Sequence, residues 1–348
     1  MIKTNIDTIE VELTQACVLK CKHCFLNKIA GPMNETTFKN TLEFIKEVAD
    51  TSTSDKIGVV LTGGEPSLFN LNLLSEGIDW LKANITKPLK IYFQTSLVYD
   101  ITDKHMEIFK KVQEVSTSWD YQARFTKIEE EATLFANIEK LKKENIPLHL
   151  IVTLTDQLAH DVTPEMFISF IMATGIKGFD FNRLFTPGGY TNEQYSKITK
   201  AKACELAEWS FKAYKLWDKI HEKLGIFVFD YQGITDGYYG IHYNQWSKTC
   251  PETLIHVMST GKLTHCHDSS HKNFGDVNTK EFNEELYQSI LTAHHEFYEL
   301  EECKTCKYFK YCQSGCPWMY RDETGCTIPK KVYEYLRLKD EMKEEGNV

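Results

Sequence analysis

The chain has 348 residues, 42% of them apolar and 26% charged, with a formal net charge of -9. That length suits one large or two modest domains with a full core, and the balance excludes a disordered, collagenous or coiled-coil chain as the main architecture. The acidic excess argues against a nucleic-acid binder that works by neutralising phosphates, and implies no affinity for membrane surfaces.

Met1 to Leu13 interleave Lys3, Asp7, Glu10 and Glu12 with apolar positions, so no secretory signal is read and a cytoplasmic setting is expected. No apolar run reaches the length a membrane-spanning helix needs. Eleven cysteines in such a chain point to metal ligation or redox chemistry rather than to a disulfide framework.

In chain order, Ile9 to Leu13, Ile57 to Leu61, Leu89 to Phe93, Val112 to Ser118, Leu148 to Leu154 and Gly178 to Phe185 read as six short strands. Helical patterns fill the gaps: Asn34 is an N-cap ahead of Phe38, Leu42, Ile45 and Ala49, and Thr163-Pro164 opens the fifth helix. Strand then helix, repeated, predicts parallel strands with right-handed crossovers. A doubly wound open sheet and an incomplete barrel both satisfy the pattern, and either places the site at the strands' carboxyl ends. After Pro187-Gly188-Gly189 the alternation stops. A long helix is predicted from about Lys197 to Leu224, with Phe211, Tyr214 and Trp217 among its core positions. From roughly Tyr238 to Thr327 the chain reads as irregular and rich in Cys, His and Gly, held by metal more than by a core. Lys331 to Glu345 reads as a charged, solvated helix.

Cys17, Cys21 and Cys24 form a C-x3-C-x2-C run directly after the first strand. Three thiolates suit three corners of a cubic iron-sulfur cluster, and without a fourth Cys nearby one iron stays open to a ligand. A zinc site completed by His23 or a remote residue would use the same thiols. A second group, Cys250, Cys266, then Cys303-x2-Cys306-x5-Cys312-x3-Cys316 and Cys326, is too regular for chance. Zinc ribbons share the C-x2-C spacing, but seven thiols divide poorly among tetrahedral sites. Cys204, in the long helix, falls outside both groups and is expected to be a buried apolar thiol.

The triplet followed by Phe25, together with Gly63-Gly64-Glu65-Pro66 after the second strand, resembles the radical S-adenosylmethionine (SAM) superfamily. The seven downstream cysteines are similar to its SPASM subgroup, and the resemblance spans residues 17 to 326. It implies an α/β fold: a partial (β/α)6 TIM barrel over residues 1–190, a bridging helical segment over 191–240, a cysteine-rich SPASM domain over 241–330 and a C-terminal helix over 331–348. It further implies three 4Fe-4S clusters. The catalytic one sits on Cys17, Cys21 and Cys24, and its open iron chelates SAM, which one electron cleaves to methionine and a 5'-deoxyadenosyl radical. The outer auxiliary cluster falls to Cys303, Cys306, Cys312 and Cys326; the inner one falls to Cys250, Cys266 and Cys316, with an open iron or His242 in fourth place.

By the same resemblance Gly63, Gly64 and Glu65 line the methionine amino group of SAM. Thr95, Ser96, Ser118 and Asp120 contact its carboxylate and ribose, Arg124 pairs with the carboxylate, and Asn182 and Arg183 are further contacts. An internal Asp120–Arg124 ion pair is the competing reading. Relatives of this kind modify peptides or proteins, which implies a maturase of a ribosomally synthesised peptide (RiPP) that takes hydrogen from a side chain and closes a cross-link. A flavodoxin or ferredoxin is the implied electron donor. Formylglycine formation on a sulfatase and peptide epimerisation are the alternatives. In the sulfatase-maturing group an Asp directly after the second auxiliary Cys takes the substrate proton; His267 stands there in this chain and Asp268 one further on, so these two are the candidate catalytic residues. With the cluster loop beginning at residue 17, no N-terminal leader-binding domain is expected. The non-enzymatic readings are an iron-sulfur electron-transfer protein and a zinc-stabilised binding module.

Overall fold

The structure, a computed structural model, describes residues 5–345 except 25, 27, 29, 184–200, 243–249, 267–272, 298–300 and 317–318. Strands and helices alternate through the first half: β1 (Thr8–Glu12), α1 (Glu35–Thr51), β2 (Ile57–Thr62), α2 (Leu71–Asn84), β3 (Leu89–Gln94), α3 (Asp103–Lys111), β4 (Glu114–Ser118), α4 (Ile128–Lys143), β5 (Leu148–Leu154), α5 (Asp156–Asp161), α6 (Pro164–Thr174) and β6 (Gly178–Arg183). Local chemistry sets the starts: Asn34 accepts from Thr37 N at 2.9 Å, and Thr163 accepts from Met166 N at 3.2 Å ahead of Pro164.

The strands pair in parallel and lie in sequential order from β1 to β6. A doubly wound sheet reverses its order at a switch point, whereas sequential order with right-handed crossovers puts every helix on one face. Burial agrees. Val59, Leu61, Ile91, Phe93, Leu150, Val152, Phe179 and Phe181 are buried, while the alternate positions Tyr92, Gln94, Ser116, His149, Asp180 and Asn182 are half-buried on the other face. One apolar and one polar face fits a curved barrel wall, so the two architectures left open by periodicity resolve to the partial barrel.

The sheet continues past these strands on both edges. β7 (Phe227–Val228) pairs with β6, and β8 (Leu254–Val257) pairs in parallel with β1, followed by antiparallel β9 (Lys262–Thr264), β10 (Gly275–Asp276) and β11 (Glu281–Phe282). The region expected to be irregular therefore supplies four strands to the barrel's own sheet.

The long helix runs Ala203–Leu224, beginning after the extended backbone of Lys202. Its Trp209, Tyr214 and Trp217 are buried, and Tyr214 and Trp217 lie against Tyr231 of the helix Phe229–Tyr238. Cys204 is exposed rather than buried, because it faces away from that aromatic stripe in the first turn. The helix Lys331–Glu344 also departs from expectation: Val332, Tyr333 and Leu336 are buried, and Tyr335 Oη and Lys339 Nζ donate to Asp218 at 2.8 and 2.7 Å. Its alternating charges hid a short apolar stripe. Beneath these helices Arg183 and Asp230 form a fully buried ion pair, and Arg183 Nε donates to Thr327 O at 3.2 Å. Arg183 is thus a core residue on the outer face of β6, not a cleft residue. Among the described residues no helix is long and apolar enough to cross a membrane.

Candidate cofactor and substrate site

The loop carrying Cys17, Cys21 and Cys24 leaves the carboxyl end of β1 and is held from several sides. Lys28 Nζ donates to Leu19 O at 2.7 Å, Lys22 N donates to Ala123 O at 2.9 Å, and Met33 N closes the loop onto Leu13 O at 2.8 Å. Burial pushes the Cys21 thiol up to about 11, and burial also raises Cys17; Cys21 feels the charge of Cys17 and Cys24, and Cys17 that of Cys24, so the three are neighbours. Iron binding would have to displace those protons.

The Gly-Gly turn after β2 packs directly on this loop. Gly64 N donates to Thr14 O at 2.6 Å and Glu65 N to Ala16 O at 2.8 Å. A Cβ on Gly64 would lie 2.3 Å from Ala16 O, and Gly63, at φ +143°, would place one 2.2 Å from Thr14 O. Only glycine admits this backbone-on-backbone approach. Glu65 is fully buried, and its carboxylate accepts from Ser67 N (3.0 Å), Thr95 Oγ1 (2.7 Å), Ser96 N (2.8 Å) and Ser96 Oγ. Four donors fill the acceptor capacity of a carboxylate. The hydroxyls of Thr95 and Ser96 are thereby committed to Glu65, which ties the ends of β2 and β3 together.

At the end of β4, Ser118 and Asp120 are buried. Asp120 Oδ2 meets Arg124 Nε at 2.7 Å and His23 Nε2 at 3.2 Å, while Oδ1 accepts from Thr153 N at 2.8 Å. Burial alone would raise this carboxyl, but the charges of Arg124 and His23 and the hydrogen bonds from His23 and Thr153 hold it well below the usual carboxylate range. The internal Asp120–Arg124 pair is present, and it anchors Arg124 beside the triplet, where Arg124 and Cys21 sense each other's charge. His23 between two of the thiols is the partner that sequence reasoning did not assign.

The polar inner face of the barrel continues from there. Ser118, Ile151 and Asp180 occupy one register row across β4, β5 and β6, and Thr153 and Asn182 are paired in the next. Neighbouring strands lie about 4.8 Å apart, which puts Asp180 about 10 Å from Ser118 along the wall. Burial, reinforced by the charge of Asp230, pushes the Asp180 carboxyl up to about 7, and its Oδ1 has no hydrogen-bond partner among the described residues. Nearby, His149 Nδ1 stands 3.6 Å from Glu114 Oε1. On β1, buried Glu12 Oε1 accepts from Ser259 N at 3.0 Å, Ser259 Oγ at 2.8 Å and Gln15 Nε2 at 3.2 Å. Sequence reasoning missed Glu12 and Asp180; their signal was a carboxylate at the alternate position of an otherwise apolar strand.

Downstream, Cys303, Cys306, Cys312 and Cys326 line one cavity with Arg321 and Lys330. Burial pushes the Cys312 thiol up to about 12, and the three partner thiols add to that rise. The hairpin of Arg321–Asp322 and Gly325–Cys326 delivers the last of the four. Cys250 opens the short helix ahead of β8, its thiol raised to about 12 by burial and by Glu10 and Asp7; Cys266 follows β9, the antiparallel neighbour of β8. His242 lies against Gly237. His267 and Asp268 lie outside the described residues. Among the described residues no three His, Cys, Asp or Glu side chains are gathered around one point.

Comparison with known proteins agrees with this geometry. A family model described as a 4Fe-4S single cluster domain matches residues 10–137. No curated protein matches. Among solved structures, anSMEcpe, an anaerobic sulfatase-maturating enzyme with bound AdoMet and Cp18Cys peptide, superposes with a TM-score of 0.77 at 15% identity, covering 97% of this chain and 99% of its own. SuiB of Streptococcus suis bound to S-adenosylmethionine gives 0.62 at 17% identity, covering 92% and 77%. SuiB bound to its precursor peptide SuiA gives 0.62 at 16% identity, covering 92% and 76%. Over nearly its whole length the chain therefore shares the fold of these proteins, a largely parallel α/β core followed here by a cysteine-rich region.

Proposed function

We propose that this protein is a radical SAM enzyme that takes hydrogen from a side chain of a ribosomally synthesised peptide and closes an intramolecular cross-link. The observation that carries the reading is the convergence of three elements at one end of the barrel: the thiol loop, the glycine turn packed on it, and the Asp120–Arg124–His23 cluster beside it. Cys17, Cys21 and Cys24 would hold a 4Fe-4S cluster on three irons; SAM bound to the fourth supplies, on one-electron reduction, a 5'-deoxyadenosyl radical. The chain's own residues do the rest. Gly63 and Gly64 fix the loop against β2, Asp120 fixes Arg124 for an anionic group, and the polar inner wall with Asp180, Asn182 and His149 orients the peptide. Auxiliary clusters on Cys303, Cys306, Cys312 and Cys326, and on Cys250, Cys266 and Cys316, complete the proposal. A flavodoxin or ferredoxin donor and the cytoplasmic setting read from the N-terminal sequence belong to it as well.

Formylglycine formation is the second reading, favoured by the fuller superposition on the sulfatase-maturating enzyme. Anaerobic incubation of the reduced protein with SAM and a short peptide encoded beside the gene tests both. A product lacking two hydrogens per link and inert to hydrazine supports the cross-link; a hydrazine-reactive aldehyde on a sulfatase peptide supports the alternative. Absence of 5'-deoxyadenosine under reducing conditions would overturn both.

A further inference from the structure

The four-thiol cavity has an asymmetric charge lining. Arg321 has its charge paired, its Nε lying 3.2 Å from Glu302 Oε1 and its Nη2 donating to Ser314 O at 2.6 Å, while its Nη1 is buried without a hydrogen-bond partner among the described residues. Lys330 has no carboxylate partner among the described residues. Its ammonium lines the same cavity as the thiols, hydrogen-bonded to Cys326 and close to Cys306 and Cys312. The lysine is not free to drift, because Lys330 N donates to Ile328 O at 2.8 Å and the next residues, Val332 and Tyr333, are buried as the first turn of the terminal helix.

We infer that Lys330 is a positioning residue for the group held by Cys303, Cys306, Cys312 and Cys326, supplying a positive charge that no carboxylate offsets among the described residues and setting the reduction potential of that group above that of a pocket without it. The inference rests on the reading that these thiols hold a 4Fe-4S cluster. Four thiolates around such a cluster leave a net negative charge, and each added electron deepens it; a fixed cation in contact with one sulfur therefore favours the reduced state. Hydrogen bonding to the same sulfur acts in the same direction.

The test uses the full chain with Cys17, Cys21 and Cys24 replaced by Ala, so that only downstream clusters are read by potentiometric EPR titration. In this parent, Lys330→Met and Lys330→Gln should move one midpoint potential to more negative values and leave the other in place, while Lys330→Arg keeps it near the parent value. Selective iron loss from one cluster in both uncharged variants, with retention in Lys330→Arg, supports the same role. Unchanged potentials, equal shifts of both, or failure of Lys330→Arg to behave differently from Lys330→Met would overturn the inference. A parent that takes up no iron downstream of residue 200 would instead overturn the cluster reading on which it rests.

Discussion

Glu65 sits in a motif that the sequence assigns to SAM, yet its carboxylate is saturated by Ser67 N, Thr95 Oγ1, Ser96 N and Ser96 Oγ inside the protein. Glu65→Gln separates the two roles. The replacement keeps the shape but turns one acceptor oxygen into an NH2 donor. Either orientation sets that donor against a backbone N–H, Ser67 or Ser96, which cannot reverse as a hydroxyl can. A hydrogen bond to a charged group contributes about 1.5–3 kcal/mol, and a buried N–H left unpaired costs about 1–3 kcal/mol. The expected loss is therefore about 3–5 kcal/mol, a large share of the roughly 5–15 kcal/mol that holds a typical domain together. Urea unfolding of the iron-free protein without SAM is the assay, since only a structural role acts there. The midpoint should fall with little change in slope. A loss under about 1 kcal/mol would refute the buried-anchor account and return Glu65 to a ligand role.

Gly64→Ala should push Ala16 off the glycine turn, and the expected outcome is loss of iron from the N-terminal triplet with the downstream iron retained, read by iron analysis of Cys-to-Ala sets. Asp120→Asn removes a carboxylate whose folded pKa is depressed by Arg124 and His23 against the pull of burial. Its stabilisation is present above the ordinary carboxylate value of about 4 and is lost as pH falls below it, so the variant should be less stable than the native chain at pH 7 and converge with it at acid pH in chemical denaturation. Asp180 has the opposite sign: burial raises it to about 7, so stability is full below pH ~4 and lost as pH rises toward 7. Asp180→Asn should accordingly be the more stable chain at pH 8, by up to about 4 kcal/mol at ~1.4 kcal/mol per pH unit, and equal stability of the two chains there would contradict the raised carboxyl.

The legible parts of this chain were those fixed by local chemistry. Asn34 and Thr163 cap the helices they were expected to cap, and β5 has the limits its apolar run gave; Cys303, Cys306, Cys312 and Cys326 line one cavity, a grouping that the family resemblance implied and spacing alone did not. What escaped was decided by partners distant in the chain. Leu254–Val257 is short and follows a cysteine, so nothing local marks it as a strand; it becomes one because the free edge of β1 needs a neighbour. Arg183 at the end of β6 resembled a cleft residue until Asp230, buried on the next helix, claimed it. In the terminal helix, three buried residues among many charges gave too weak a period to read.

β1 explains why one strand can serve both halves of the protein. Its carboxyl end leads into the triplet loop, and its edge pairs with β8, which runs from Cys250 toward the hairpin that ends at Cys266. Glu12 bonds Ser259 beyond β8 and Gln15 in the loop, and Gln15 Oε1 in turn accepts from Ala30 N at 3.1 Å. A carboxylate buried at 2% exposure with donors from both sides cannot shift without leaving one of them unpaired. Register between the two thiol regions is therefore set by backbone pairing and one buried side chain, which is a stiffer constraint than surface contact between separate domains would be. If both regions hold clusters as proposed, the separation on which electron transfer between them depends would be set through β1.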